Sequence, residues 1–175
     1  MRNLQDLMFK EATMNNVIII NGKGGVGKDT FIQLCQNYSD DIVNISSVDF
    51  VKEVAHFCGW QGEKDVSARK FLSDIKDALT NWKDIPFQKT LQEVDKYDDK
   101  IIFIHVREPH EIDKLKKALN AKTLLIKNPK ITSEFGNHAD DMVEKYEYDY
   151  TINNANTLQT LEESAKIFVD IVKNS

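Results

Sequence analysis

The stretch Asn16-Val17-Ile18-Ile19-Ile20-Asn21-Gly22-Lys23-Gly24-Gly25-Val26-Gly27-Lys28-Asp29-Thr30 decides how this chain is read. Its first part is an apolar, largely β-branched run of the length of a buried strand. The next part, Asn21 to Gly27, holds four of the chain's seven glycines. Glycines let a backbone turn tightly and aim several N–H groups at one anion. From Lys28 to Tyr38 the pattern becomes helical, with Phe31, Ile32, Leu34 and Cys35 as an apolar stripe. A helix that opens at the loop adds its positive end to those N–H groups.

Gly22 to Thr30 matches the P-loop pattern GxxxxGK in the strand–loop–helix context that the motif requires. Gly22, Lys23, Gly24, Gly25, Val26, Gly27, Lys28, Asp29 and Thr30 therefore read as the phosphate-binding segment, with Lys28 reaching the β- and γ-phosphates of a nucleotide. After the lysine a P-loop normally carries a Ser or Thr whose hydroxyl ligates magnesium. Here that position is Asp29. Asp29 reads either as a ligand of Mg2+, since a carboxylate suits a hard cation, or as a first-turn acid favoured by the helix dipole.

Outward from the loop, helical and extended patterns alternate. Asp41 to Ser46, Lys100 to Val106, Lys122 to Ile126 and Asp149 to Ile152 read as four further strands. Helices are expected over Phe50 to Cys58, Ala68 to Leu79, within Asn81 to Lys96, and over Glu111 to Leu119 with Pro109 in the first turn. The closing helix, Thr157 to Lys173, shows Leu158, Leu161, Ala165, Phe168 and Val169 on one side. Alternation of this kind predicts a three-layer α/β/α domain with a five-stranded parallel sheet, spanning 16–175. Residues 1–15 form a leader, about 49–98 a helical insertion on the substrate side, and about 128–146 a lid-like loop.

The chain has 175 residues and a net charge of -5, with hydrophobic residues at 41%. That supports a core and argues against a broad nucleic-acid surface. The longest apolar run, Val17 to Ile20, falls far short of the roughly 18 to 20 residues of a membrane span. Met1 to Asn16 lacks an apolar signal core, and Cys35 and Cys58 suggest neither a disulfide framework nor a zinc site. A cytoplasmic protein, monomeric or homodimeric, is expected. Only three basic residues are arginines, Arg2, Arg69 and Arg107. Arginine grips phosphate with a bidentate fork that lysine lacks; Arg69 and Arg107 read as phosphate ligands or as surface ion-pair partners.

The loop, with its Gly-Lys-Asp-Thr, resembles that of bacteriophage-type deoxynucleoside monophosphate kinases, in the P-loop nucleoside monophosphate kinase group. The likeness continues in order through Ser67-Ala68-Arg69-Lys70-Phe71-Leu72, Ile101 to Pro109, Phe135 to Asp141 and Asp149 to Asn154. His105 stands where that family has an acid before Val-Arg, and Asp140 and Asp141 stand where it has Ser-Glu. A second resemblance, through Lys23-Gly24-Gly25-Val26-Gly27-Lys28, is to the deviant loop of partition-type ATPases, where the first lysine acts across a dimer.

The first resemblance implies ATP- and Mg2+-dependent phosphoryl transfer to a small monophosphate acceptor, most simply a nucleoside or deoxynucleoside monophosphate. Lys28 and Arg107 would be catalytic, Asp49, Arg69 and Arg107 would bind the acceptor, and Asp29 would hold the metal. Asp49 reads equally as a helix-start residue paired with Lys52. Kinases of other phosphate esters and a weakly active nucleotide-binding regulator remain as alternatives. His138 reads as a surface residue of the lid ahead of a catalytic one, Trp60 and Trp82 as core or rim packing ahead of the lining of a base pocket, and both cysteines as core thiols on helix faces.

Overall fold

A computed structural model describes residues 16–131 and 143–174. Five strands, β1 (Asn16–Asn21), β2 (Ile42–Ser46), β3 (Ile101–His105), β4 (Lys122–Lys127) and β5 (Tyr150–Asn153), form one sheet in the order β2-β3-β1-β4-β5. Every pairing is parallel. Parallel neighbours need crossovers, and helices supply most of them. The crossover helices are α1 (Lys28–Gln36), α2 (Asp49–Phe57), α3 (Val66–Lys83), α4 (Ile85–Val94) and α5 (Pro109–Leu119), and a last helix, α6 (Leu158–Lys173), follows β5.

β1 lies at the centre of the sheet, and its alternate residues feed two cores. Ile18 and Ile20 pack on one face with Phe31 and Ile32 of α1 and with Leu161, Ala165 and Phe168 of α6. Val17 and Ile19 pack on the other with Val94, Ile112 and Leu115 from α4 and α5. The three-layer architecture and five-stranded parallel sheet expected from the sequence are both present.

Helices α2, α3 and α4 fill the stretch between β2 and β3. Helix α3 buries no residue and rests on α2 and α4 instead of the sheet. Its start is set locally: Asp65 caps it by accepting a hydrogen bond from the Ala68 N–H at 2.8 Å.

Two packing expectations fail and a third is narrowed. Leu158 is 62% exposed, because it is the first residue of α6 and precedes the stripe that meets the sheet; Val172 takes the last place on that stripe. Cys58 is exposed at the end of α2, while Cys35 is buried. Trp82, in the last turn of α3, is 69% exposed and packs in no core. The leader, residues 1–15, lies outside the described residues, as do 132–142, which include the Phe135 to Asp141 segment and His138.

Candidate active site

The phosphate loop leaves β1 at Asn21, a residue almost wholly buried. Its side chain ties three things together. Oδ1 accepts from the Gly22 N–H at 2.8 Å, and Nδ2 donates to the Arg107 carbonyl at 3.2 Å and to the Tyr148 hydroxyl at 2.9 Å. One amide thus fixes the start of the loop, the end of β3 and the approach to β5. Burial pushes the Tyr148 hydroxyl up to about 12, so it stays protonated near neutral pH.

Gly22 and Gly27 are closely fitted, so that a larger residue at either would force a neighbour to shift. A Cβ on Gly22 would lie 2.5 Å from the Ile126 carbonyl oxygen, and one on Gly27 would lie 2.5 Å from Asn154 Nδ2. Gly27 also has φ 96 and caps α1 with no side chain in the way. Its carbonyl accepts the first helical hydrogen bond, from the Phe31 N–H. The N–H groups of the first turn, Lys28 to Thr30, are thereby left facing the loop, the arrangement that binds anions. The Lys28 ammonium donates to the Gly22 and Lys23 carbonyls at 2.6 and 2.9 Å, so it lies folded within the loop. Lys23 turns the other way and pairs with Glu144 at 2.9 Å, which holds the Glu144 carboxyl below its ordinary range.

The loop forms one wall of a cleft of about 650 Å³ at the carboxyl ends of β1, β2 and β3. Ligands of open α/β sheets bind at that end. Gly24, Gly25, Lys28, Asp29, Asp49, Lys52, Lys76, His105, Arg107, Glu108 and Glu111 all line it. The cleft therefore brings together Lys28, Asp29, Asp49 and Arg107 from the residues expected on sequence. Asp49 is already engaged: its carboxylate accepts from the Ser46 N–H at 2.7 Å and pairs with Lys52 at 2.9 Å. Arg69 is exposed near the start of α3 and is not among the cleft's lining residues. The basic residue that α3 does contribute is Lys76, two turns further on, paired with Glu111 at 2.7 Å.

His105, the last residue of β3, faces Asp29 with Nε2 3.4 Å from Oδ1. The approach does not meet hydrogen-bond geometry, and Nε2 is buried with no hydrogen-bond partner among the described residues. Burial holds the imidazole below the ordinary histidine range despite an opposing pull from Asp29, with Lys28 adding to the lowering. The ring is therefore neutral near pH 7. Among the described residues no group of three or more acidic, His or Cys side chains could hold a metal alone.

Asn21, Lys76, Tyr148 and Asn154 escaped the sequence reading as site residues. Asn154 donates from Nδ2 to the Val26 carbonyl at 2.9 Å and so clasps the loop from the end of β5. The pair Asn153-Asn154 was visible as the end of a strand; that its second member grips the loop was not.

The sheet, its order and the glycine loop at the end of its central strand give this chain the α/β fold of P-loop kinases. It is similar to dephospho-CoA kinase from Campylobacter jejuni, at 16% identity over 91% of this chain and 98% of that one, with a TM-score of 0.54. It is also similar to shikimate kinase from Aquifex aeolicus, at 11% identity over 88% and 96% of the two chains, with a TM-score of 0.50. A sugar kinase from Janibacter sp. HTCC2649 matches at 16% identity over 90% and 95%, also with a TM-score of 0.50. At these identities the shared property is the fold. No protein-family model matches the sequence, and no curated protein matches it. No helix among the described residues is long and apolar enough to cross a membrane.

Proposed function

We propose that this protein transfers the γ-phosphoryl group of ATP to a small phosphorylated acceptor, a nucleoside or deoxynucleoside monophosphate being the first choice. The observation that carries this reading is the two-sided cleft. Lys28 and the loop N–H groups line one side, while Arg107 from just past β3, Lys52 from α2 and Lys76 from α3 reach the same cavity. A nucleotide alone needs only the first set. Two anionic substrates meeting for phosphoryl transfer need both, since the reaction depends on positioning and on neutralising charge.

In this reading the loop and Lys28 hold the ATP phosphates, and Asp29 is the protein's carboxylate toward Mg2+, which would neutralise phosphate charge when bound. Arg107 stabilises the charge of the transferring group. The acceptor phosphate is met by Lys76, with Arg69 recruited only if α3 or its own side chain moves toward the cleft. Asp49, held by Ser46 and Lys52, presents a fixed acceptor to a hydroxyl or base edge. The same scheme serves a kinase of a non-nucleotide phosphate ester.

A second reading, a nucleotide-binding regulator with weak turnover, draws on one observation: an imidazole, His105, stands beside the metal-side carboxylate. ADP release measured with ATP and Mg2+ across a panel of nucleoside and other monophosphates separates the two. Stimulation by one acceptor class supports the kinase; nucleotide binding with no stimulation by any acceptor supports the regulator.

A further inference from the structure

Asp29 and His105 come from different elements and meet at the mouth of the phosphate loop. Asp29 lies in the first turn of α1, and His105 ends β3, the strand paired directly with β1. The two differ in freedom. The Asp29 side chain is 90% exposed and can swing, whereas that of His105 is 20% exposed and is held by the strand. Nε2 carries a lone pair or a proton that nothing among the described residues uses. Buried polar atoms are ordinarily partnered, so an unused one facing the phosphate loop calls for a ligand.

The spacing suits an ion. Two adjacent ligands about 2.1 Å from one octahedral cation stand about 3.0 Å apart, a separation that a small turn of the exposed Asp29 side chain reaches. The observed Nε2–Oδ1 separation is 3.4 Å. The donor set is the decisive point. P-loop enzymes ordinarily offer a hydroxyl and a carboxylate, both hard oxygens suited to Mg2+. Here the carboxylate sits on the loop and the strand offers an imidazole. Imidazole is a poor ligand for Mg2+ and a good one for first-row transition ions.

We propose that Asp29 and His105 together form a two-point divalent-cation site at the phosphate loop, which takes Mn2+ or Co2+ in preference to Mg2+ when nucleotide is bound. This rests on the nucleotide-binding reading above. Phosphate oxygens and water complete the coordination.

The test uses the full chain, a non-hydrolysable ATP analogue, and Mn2+ followed by electron paramagnetic resonance. Loss of the free-ion signal gives binding, competition with Mg2+ gives the preference, and pulsed measurement detects an imidazole nitrogen on the manganese. The parent protein should show the nitrogen coupling and favour Mn2+ over Mg2+ by more than the His105→Asp variant does. The variant should lose the coupling and shift the preference toward Mg2+ on the order of tenfold. The parent measurement stands even where a variant fails to fold, and His105→Gln provides a second loss of the nitrogen. Nucleotide bound with no nitrogen coupling in the parent, or an unchanged metal preference in folded His105→Asp, overturns the proposal and leaves the nucleotide reading intact. Failure to bind nucleotide with either ion or with neither overturns both.

Discussion

Asn154 closes over the phosphate loop at Gly27. Its Nδ2 donates to the Val26 carbonyl at 2.9 Å, and a Cβ on Gly27 would lie 2.5 Å from that same nitrogen. The end of β5 and the start of α1 are thus fitted to each other through one missing side chain. Gly27→Ala should destabilise the protein by about 1 to 3 kcal/mol, from the positive φ and the clash together. Asn154→Ala in the same chain should recover only the part due to the clash. Urea denaturation of the two single variants and the double variant measures both parts.

Lys28→Ala should remove turnover and weaken nucleotide binding, because the ammonium that now rests on the Gly22 and Lys23 carbonyls is the loop's own cation toward the phosphates. Loss of a charge-assisted contact is worth about 1.5 to 3 kcal/mol, roughly ten- to a hundredfold in affinity. Calorimetric titration with ATP, beside the turnover assay, checks it. Nucleotide affinity and turnover both equal to the parent's would remove the loop from the mechanism.

The acceptor side separates Lys76, Arg69 and Arg107. Lys76→Ala should raise the acceptor KM roughly ten- to a hundredfold and leave ATP affinity nearly unchanged, as expected for a lost phosphate contact. Arg69→Ala should do the same only if α3 closes on the acceptor, and otherwise should change little. Arg107→Ala should lower kcat more than it raises KM, since it acts on transition-state charge. Steady-state kinetics with circular dichroism on the three variants decides among them; acceptor kinetics untouched in all three would favour the regulator.

Lys23 reaches Glu144 of its own chain. Lys23→Ala should therefore leave the oligomeric state the same with and without ATP, as read by light scattering. If ATP drives dimerisation and Lys23→Ala blocks it in a folded protein, the partition-type reading replaces the kinase.

Asp149 carries a pH dependence of stability. Burial alone would raise its carboxyl, but hydrogen bonds from Lys116 and from the Thr123 side chain and backbone outweigh it and hold the group below the ordinary carboxylate range. The folded state thus binds this proton less readily than the unfolded chain. The stabilisation is complete above the unfolded value of about 3.9 and is lost as pH falls through the lower folded value. Asp149→Asn should lower the melting temperature at pH 7, and its gap to the parent should narrow steadily below about pH 4. A constant gap from pH 7 to pH 3 would show that the carboxylate's charge is not what joins β4 to β5.

By itself the amino-acid sequence determined the elements and the phosphate loop, because both are written in neighbouring residues. The Val17 to Ile20 run, the glycines from Gly22 to Gly27 and the stripe of Phe31, Ile32, Leu34 and Cys35 each act within one or two turns of chain. Parallel pairing followed from the alternation, since successive parallel strands need crossovers. What the tertiary structure alone decided was which side chains meet. Leu158 is apolar and near the stripe of α6 in sequence, and is exposed because it opens the helix ahead of the buried residues, which begin at Leu161. Arg69 had the better chemistry for phosphate, but α3, packed on α2 and α4, delivers Lys76 to the cleft. Asn21 and Asn154 read as strand ends, and their amides act across 86 and 128 residues of chain. Asp29 and His105 looked like two separate departures from a pattern; the pairing of β1 with β3 sets them 3.4 Å apart. Contacts at such separations depend on strand order and helix placement, which no local pattern encodes.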